Sequence, residues 1–141
     1  MDFFILYIFL LKTLTLNKDE RIKSKKLMDN IFTNGKVIRS GFIRLNYVQL
    51  DSESKYPAKA AFSVPKRIFK RAVKRNLLKR RMREAYRLNK LPLYEFLTIN
   101  NIKISLLFVY LAKDIKSFSE IEDNMLDLIK QLKDKIDTNK Y

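Results

Sequence analysis

The fold is decided by residues 59–88, which read KAAFSVPKRIFKRAVKRNLLKRRMREAYRL. The first part, Lys59–Val64, predicts a short β-strand, and Pro65 ends it because proline cannot donate to a strand ladder. From Lys70 to Leu88, apolar residues recur at spacings of three and four, which is typical of an amphipathic helix. The stretch therefore predicts a short strand followed by a long helix.

The predicted helix has an apolar face and, beside it, a basic stripe. The apolar face consists of Leu78, Met82, Ala85 and Tyr86. The basic stripe advances by four residues at a time and consists of Arg71, Arg75, Lys79, Arg83 and Arg87. Asn89 and Pro92 mark the end of the helix.

Two further elements are predicted downstream of this helix. Residues Ile102–Leu111 (IKISLLFVYL) are apolar, β-branched and aromatic, which predicts a central strand covered on both faces. With the strand Lys59–Val64 and the long helix, this strand could form a β-α-β unit. The pattern Ser119-x-x-Glu122 reads as a capping box that begins a final helix. The inner face of that helix consists of Ile121, Met125, Leu128, Ile129, Leu132 and Ile136.

A helix and a strand are predicted upstream. Ser24 can cap a helix that runs to about Thr33, and Asn34-Gly35 ends it, since both residues tolerate positive φ. Residues Gly41–Leu50 alternate between apolar and polar, which predicts a strand with one buried face. The polar turn Asp51–Pro57 then makes this strand and the next the simplest antiparallel neighbours.

The predicted element order is α-β-β-α-β-α, an α+β domain with two layers. The 141 residues suit one domain, and they contain no internal repeat or low-complexity linker. We assign residues 16–137 to a single domain, residues 1–15 to an apolar N-terminal extension and residues 138–141 to a tail.

The extension begins with Met1–Leu11 (MDFFILYIFLL), in which only Asp2 is polar. This run is too short to span a bilayer, which takes about 20 apolar residues. It also lacks the basic start and the cleavage site of a signal peptide. Three interpretations stay open: a membrane-associating tail, an additional packed element, or residues upstream of a true translation start near Leu14 or Leu16.

The composition excludes several classes of chemistry. The chain has no His and no Cys, which removes the usual zinc and iron–sulfur ligands, cysteine nucleophiles and Ser-His-Asp catalysis. Thirty basic residues stand against 15 acidic ones, a formal net charge of +15. Such a charge on a small domain indicates a polyanionic partner, either nucleic acid or an acidic membrane surface.

The positive charge is concentrated in residues 66–90, which hold 12 basic residues and one acid, Glu84. Within this run the spacing R-N-x-x-K-R-x-x-R, preceded by A-x-x, falls on Ala72, Arg75, Asn76, Lys79, Arg80 and Arg83. This pattern resembles the signature of the protein subunit of bacterial ribonuclease P. The segment Phe62–Arg67 is similar to the strand and basic turn that precede the signature in that family, and the likeness extends over about Leu16–Ile136.

The sequence departs from the family pattern at two places. Many members carry Arg where this chain has Leu77, so a phosphate subsite there is either weaker or compensated by Arg81. The spacing over Ile68–Arg71 is one residue longer than in members with a short turn that contains glycine.

The resemblance implies a non-catalytic subunit of a cytoplasmic ribonucleoprotein endonuclease. In that family a catalytic RNA with Mg²⁺ removes the 5′ leader from precursor tRNA, and the protein binds that RNA and the leader. We therefore expect no protein-bound cofactor or metal and no membrane partner. The RNA-binding residues implied are Lys66, Arg67, Arg71, Arg75, Asn76, Lys79, Arg80 and Arg83.

The resemblance also implies a leader cleft between the first helix and the sheet. Met28, Phe32 and Tyr47 map there, and aromatic faces can stack on unpaired bases. Core packing of Phe32 and Tyr47 is the alternative. The implied fold is ribosomal protein S5 domain 2-like, with a left-handed β-α-β crossover where the general rule favours a right-handed one.

Two other functions stay open. A ribosomal-protein-like RNA-binding module shares the charge and the layout but does not explain the spacing from Ala72 to Arg83. A peripheral membrane protein would use the apolar extension and the basic helix on anionic lipid. A helix-turn-helix protein is excluded, because two strands, not a short helix, precede Lys70.

Overall fold

The computed structural model describes residues 14–50 and 54–139. Its strands are β1 (Lys36–Ser40), β2 (Ile43–Gln49), β3 (Ala58–Ser63) and β4 (Ile104–Tyr110). Its helices are α1 (Lys25–Asn34), α2 (Ala72–Asn89), α3 (Leu91–Ile99) and α4 (Phe118–Asn139), and a 3-10 turn covers Lys18–Glu20. The predicted apolar run Met1–Leu11 lies outside the described residues, as do the first residues of the predicted turn 51–57 and the end of the predicted tail.

The strands form one sheet in the order β1-β2-β4-β3. β3 and β4 pair in parallel around α2, so the predicted β-α-β unit is confirmed. The predicted antiparallel pairing of Gly41–Leu50 with Lys59–Val64 is wrong, because β4 lies between β2 and β3. All seven residues of β4 are buried, and only a central position covers both faces of so apolar a strand.

The two faces of the sheet carry different helices. On one face, Leu45 and Phe108 belong to the main core, together with Leu78 of α2 and Leu128 of α4. On the other face, Ile31 of α1 packs with residues of β4 that alternate with the first set, Leu107 and Val109. The predicted apolar faces of α2 and α4 are therefore confirmed, and α1 lies across the opposite face of the sheet.

The first helix begins as predicted but ends for a different reason. The Leu27 N–H donates to Ser24 Oγ over 3.4 Å, which confirms the N-cap. Gly35 has a φ of −74°, so positive φ does not account for the glycine. A Cβ at Gly35 would lie 2.1 Å from the Ile31 carbonyl oxygen, and the close approach of the backbone therefore requires glycine.

Three local features differ from the sequence prediction. Strand β1 was not predicted, because its burial pattern shows one buried residue, Ile38, between exposed ones. Helix α3 was not predicted either. Pro92, which predicts the end of α2 from the sequence, lies in the first turn of α3, where its missing N–H costs nothing. The capping box of α4 is two residues earlier than predicted, with Ser117 Oγ accepting from the Glu120 N–H and Glu120 accepting from the Ser117 N–H.

A buried ion pair fixes the segment that precedes α1. Lys90 Nζ lies 2.5 Å from Glu20 Oε1, and both side chains are almost fully buried. Lys90 also donates to the Thr15 carbonyl oxygen over 2.5 Å, and the Tyr94 hydroxyl donates to Glu20 over 2.7 Å. The Ile22 N–H then donates to the Ala60 carbonyl oxygen, so this segment runs along the outer edge of β3.

Candidate nucleic-acid interface

The outward side of α2 carries a compact group of polar side chains. At 3.6 residues per turn, four of the predicted RNA-binding residues fall within a sector of about 100° that adjoins the buried face of the helix. These four are Asn76, Lys79, Arg80 and Arg83. Their side chains form no hydrogen bond or ion pair with any residue that the structure describes, so we name them the basic sector of α2.

Three more predicted residues lie at the start of this helix. Lys66 and Arg67 are exposed in the turn after β3, and Arg71 is the exposed N-cap of α2. Phe69 anchors the loop because it is buried in the main core. The loop therefore holds these three cations next to the first turn of α2.

Arg75 has a structural task that the sequence did not indicate. Its Nη1 donates to the carbonyl oxygens of Phe69 and Lys70 over 2.8 and 2.7 Å. The guanidinium thus closes the loop that leads into α2, and its side chain is half-buried. Any contact with RNA must use its remaining nitrogens.

Three other cations of the basic run are held by contacts within the protein. Arg81 Nη1 donates to the Lys116 carbonyl oxygen over 2.6 Å, Arg87 pairs with Glu84 over 2.8 Å, and Lys90 is in the buried pair. The hydrogen bond and charge of Arg87 lower the pKa of the Glu84 carboxyl. Glu84, the one acid of the basic run, is thus paired within α2. The Arg81 guanidinium is engaged by the Lys116 carbonyl oxygen, and Leu77 is half-buried.

The structure separates the three residues predicted for the leader cleft. Met28 and Phe32 lie on α1, and 59% of Phe32 is exposed, which is too much for a core residue. Tyr47 lies in the main core on the opposite face of the sheet, with 6% exposure, and burial raises its pKa. Its placement in the cleft was wrong, because Tyr47 shares the inward face of β2 with Ile43 and Leu45.

Two residues that the sequence analysis did not assign lie on the α1 side of the sheet instead. Arg44 and Asn46 alternate with the inward residues of β2, so their side chains share the face that α1 covers. Arg44 Nε donates to Asn46 Oδ1 over 3.1 Å. The exposed Val37 pairs with Asn46 in the next strand and so lies on the same face. The polar residues that alternate with apolar ones along Gly41–Leu50 were the sequence signal for this face.

Within residues 14–50 and 54–139, no three or more acidic side chains are grouped in a way that could hold a metal ion. None of the helices in the described part has the length and apolar character needed to cross a membrane.

Comparisons with known proteins point to one family. The family model described as Ribonuclease P matches residues 16–133. The chain is 35% identical over 114 residues to the ribonuclease P protein component of Porphyromonas gingivalis, covering 80% of this chain and 82% of that protein. It is 33% identical over 109 residues to the same component of Chlorobaculum tepidum, covering 72% and 71%.

Solved structures support the fold. The RNase P protein of Staphylococcus aureus aligns with a TM-score of 0.62 at 19% identity, over 80% of this chain and 94% of that one. The RNase P protein of Thermotoga maritima aligns with a TM-score of 0.62 at 20% identity, over 79% and 96%. The predicted α+β class is confirmed.

Proposed function

This chain belongs to the ribonuclease P protein family, and on that basis we propose that it binds the catalytic RNA of ribonuclease P and the 5′ leader of precursor tRNA. As a protein component of ribonuclease P, it is part of a ribonucleoprotein that processes tRNA. We assign the cleavage chemistry to the RNA partner with its Mg²⁺. The lack of His and Cys in the chain supports this assignment.

The basic sector of α2 is the observation that carries the proposal. A helix holds its side chains at fixed spacing. Within residues 14–50 and 54–139 these side chains form no hydrogen bond or ion pair, and the charge of Arg83 contributes to the lowered pKa of the neighbouring Glu84. Arginine can grip two phosphate oxygens with its planar fork, and lysine adds a mobile point charge. Asn76 can add a neutral hydrogen bond to phosphate or sugar. Lys66, Arg67 and Arg71 extend the same surface at the loop.

The leader is assigned to the other face of the sheet. Met28 and Phe32 line α1 there, and the strongly exposed ring of Phe32 is free to stack on an unpaired base. We add Arg44 and Asn46 to this cleft in place of Tyr47. The guanidinium supplies charge for a phosphate, and the amide supplies a donor and an acceptor.

The test is a reconstituted cleavage assay with the cognate RNA and precursor tRNA at low Mg²⁺. We expect the wild-type protein to restore release of the 5′ leader. The double variant Lys79→Gln with Arg83→Gln should bind RNA more weakly, and its salt slope should flatten by about 1.4 to 1.8, because each phosphate contact contributes about 0.7 to 0.9.

A matched control removes two charges elsewhere. Lys130 and Lys135 are exposed on α4, so Lys130→Gln with Lys135→Gln should leave the salt slope unchanged. If the wild-type protein binds RNA but does not restore cleavage, the ribosomal-protein-like alternative is the better account. If the α2 and α4 variants behave alike, the basic sector is not a phosphate-binding surface.

A further inference from the structure

A second set of cations lies outside the family signature, on the segment that covers the edge of β3. Arg21 forms a parallel bridge with Ala60, and the Ile22 N–H donates to the Ala60 carbonyl oxygen over 3.1 Å. The buried pair of Glu20 and Lys90 holds the chain just before this point. The side chains of the segment therefore stand on a fixed backbone rather than on a free tail.

The direction of these side chains follows from the extended backbone at Arg21, which has a φ of −104° and a ψ of 141°. Ile22 packs with the core cluster under α1. Because neighbours in an extended chain point to opposite sides, Arg21 and Lys23 face the side of the sheet that carries α2. Both are exposed, and their side chains have no hydrogen bond or ion pair within residues 14–50 and 54–139.

The basic sector of α2 faces this same edge. The flank of α2 marked by Arg81 contacts the loop before α4 at Lys116, and the flank marked by Arg87 contacts the N-terminal segment at Leu14. Around the helix, all four residues of the basic sector lie within about 80° of Arg87. Lys79 and Arg83 each lie about 160° from Arg81, so they face the N-terminal segment and not α4.

The two rows of cations have matching spacing. Lys79 and Arg83 are four residues apart in a helix, which is about 6 Å. Arg21 and Lys23 are two residues apart in an extended chain, which is about 6.6 Å. β3 lies directly beneath α2, because its Phe62 packs edge-on against Tyr86 at 5.8 Å. Both rows therefore lie on the α2 side of the sheet, one on the segment beside β3 and the other on the helix above it.

Two more lysines continue the row on the N-terminal segment. Lys25 and Lys26 occupy the first turn of α1, which contains no acidic residue. The positive end of the helix dipole disfavours cations there. An external anion near this turn would offset that cost.

We propose that Arg21 and Lys23, together with Lys79 and Arg83, form a two-sided groove that grips one RNA phosphate backbone along the edge of β3. The groove rests on the proposed function, because it extends the α2 surface assigned to RNA. It adds a second wall from residues outside the signature helix. A strand held between two walls is fixed in direction as well as in position.

The first experiment measures RNA affinity across a salt series for three paired variants of the full chain. The edge variant is Arg21→Gln with Lys23→Gln, the α2 variant is Lys79→Gln with Arg83→Gln, and the control is Lys130→Gln with Lys135→Gln. Glutamine keeps much of the stem, and the bridge at Ala60 uses only the backbone. We expect the edge variant to lose at least tenfold in affinity and about 1.4 to 1.8 in salt slope.

The outcomes separate the two proposals. Weaker binding by the α2 variant with unchanged binding by the edge variant overturns the groove and leaves the proposed function intact. Unchanged binding by both overturns the RNA-binding role of α2 as well.

A variant that combines the edge and α2 substitutions tests whether the two rows grip the same strand. Its loss of affinity should be smaller than the product of the two separate losses, since residues that grip the same strand are coupled. Fully additive losses would overturn a shared strand.

The second experiment uses the absence of cysteine in the chain. The variants Lys23→Cys and Arg80→Cys each carry a photo-crosslinker at their single thiol in the reconstituted complex. Crosslinks to the same stretch of RNA, a few nucleotides apart, support the groove, and crosslinks to distant stretches overturn it. A third outcome would assign the edge to a membrane surface instead. In that case the wild-type protein binds phosphatidylserine vesicles, and the edge variant loses vesicle binding while its RNA affinity is unchanged.

Discussion

The buried pair of Lys90 and Glu20 offers a severe test of the structure. Replacing Lys90 with Met keeps the apolar stem and removes the charge. The change deletes two contacts of the ammonium, to Glu20 and to the Thr15 carbonyl oxygen, both at 2.5 Å. It leaves the Glu20 carboxylate buried without its cation.

The expected cost can be worked from the remaining contacts. Removing one partner of a buried ion pair costs about 3 to 5 kcal/mol. Glu20 keeps hydrogen bonds from the Tyr94 hydroxyl and the Asn17 N–H, both at 2.7 Å, so we expect a value near the lower limit. A loss of about 3 kcal/mol is a large share of the 5 to 15 kcal/mol typical of a domain.

The assay is urea unfolding at pH 7, monitored by circular dichroism. A loss of this size should move the midpoint down by at least about 1 M. Lys130→Met, on the exposed side of α4, is the control and should shift the midpoint little. The double variant Glu20→Gln with Lys90→Met should be more stable than Lys90→Met alone, because it removes the stranded charge. A cost below about 1 kcal/mol for Lys90→Met, or no regained stability in the double variant, would contradict a buried ion pair at this position.

Three further outcomes can be checked separately. Phe32→Ala should weaken binding of precursor tRNA by about 1 to 3 kcal/mol and mature tRNA by less, since only the precursor offers a leader base to stack; equal losses would argue against the cleft. Gly41→Ala should lower thermal stability by more than about 1 kcal/mol, because Gly41 has a φ of +55° and a Cβ there would lie 2.3 Å from Asn124 Oδ1; an unchanged melting curve would refute this. Glu84→Gln should cost less than about 1 kcal/mol at pH 7. Because Arg87 lowers the pKa of Glu84, this difference should shrink as the pH falls and Glu84 takes up its proton, and a difference that grows in acid would contradict the pairing.

Much of the fold could be predicted because hydrophobic period is a local property. The apolar faces of α2 and α4 and the two-sided burial of β4 all follow from the order of residues in short windows. The strand order could not be predicted in this way. The turn after β2 favoured a local hairpin, but the burial of β4 on both faces outweighs the short connection.

The candidate site was predicted in part for the same reason. Helical spacing alone predicts a basic stripe, in which Arg75 and Arg87 are engaged within the protein. Asn76 and Arg80 of the basic sector follow from the family resemblance, and the contact of this sector with RNA stays a prediction. Tyr47 was misplaced because the choice of strand face depends on which helix covers it. The roles of Arg75 and Lys90 depend on partners five and seventy residues away, which no charge count reveals.

The position of β4 between β2 and β3 affects how the chain folds during synthesis. Among the four strands only β1 and β2 can pair early, because β4, the partner strand of β3, is complete only once residue 110 has been made. At the usual 5 to 20 residues per second, about 2 to 10 s separate the end of β3 from the end of β4. All of α2 is synthesised within that interval. A nascent chain therefore displays its strongest cluster of cations before the sheet that will hold them in place has formed.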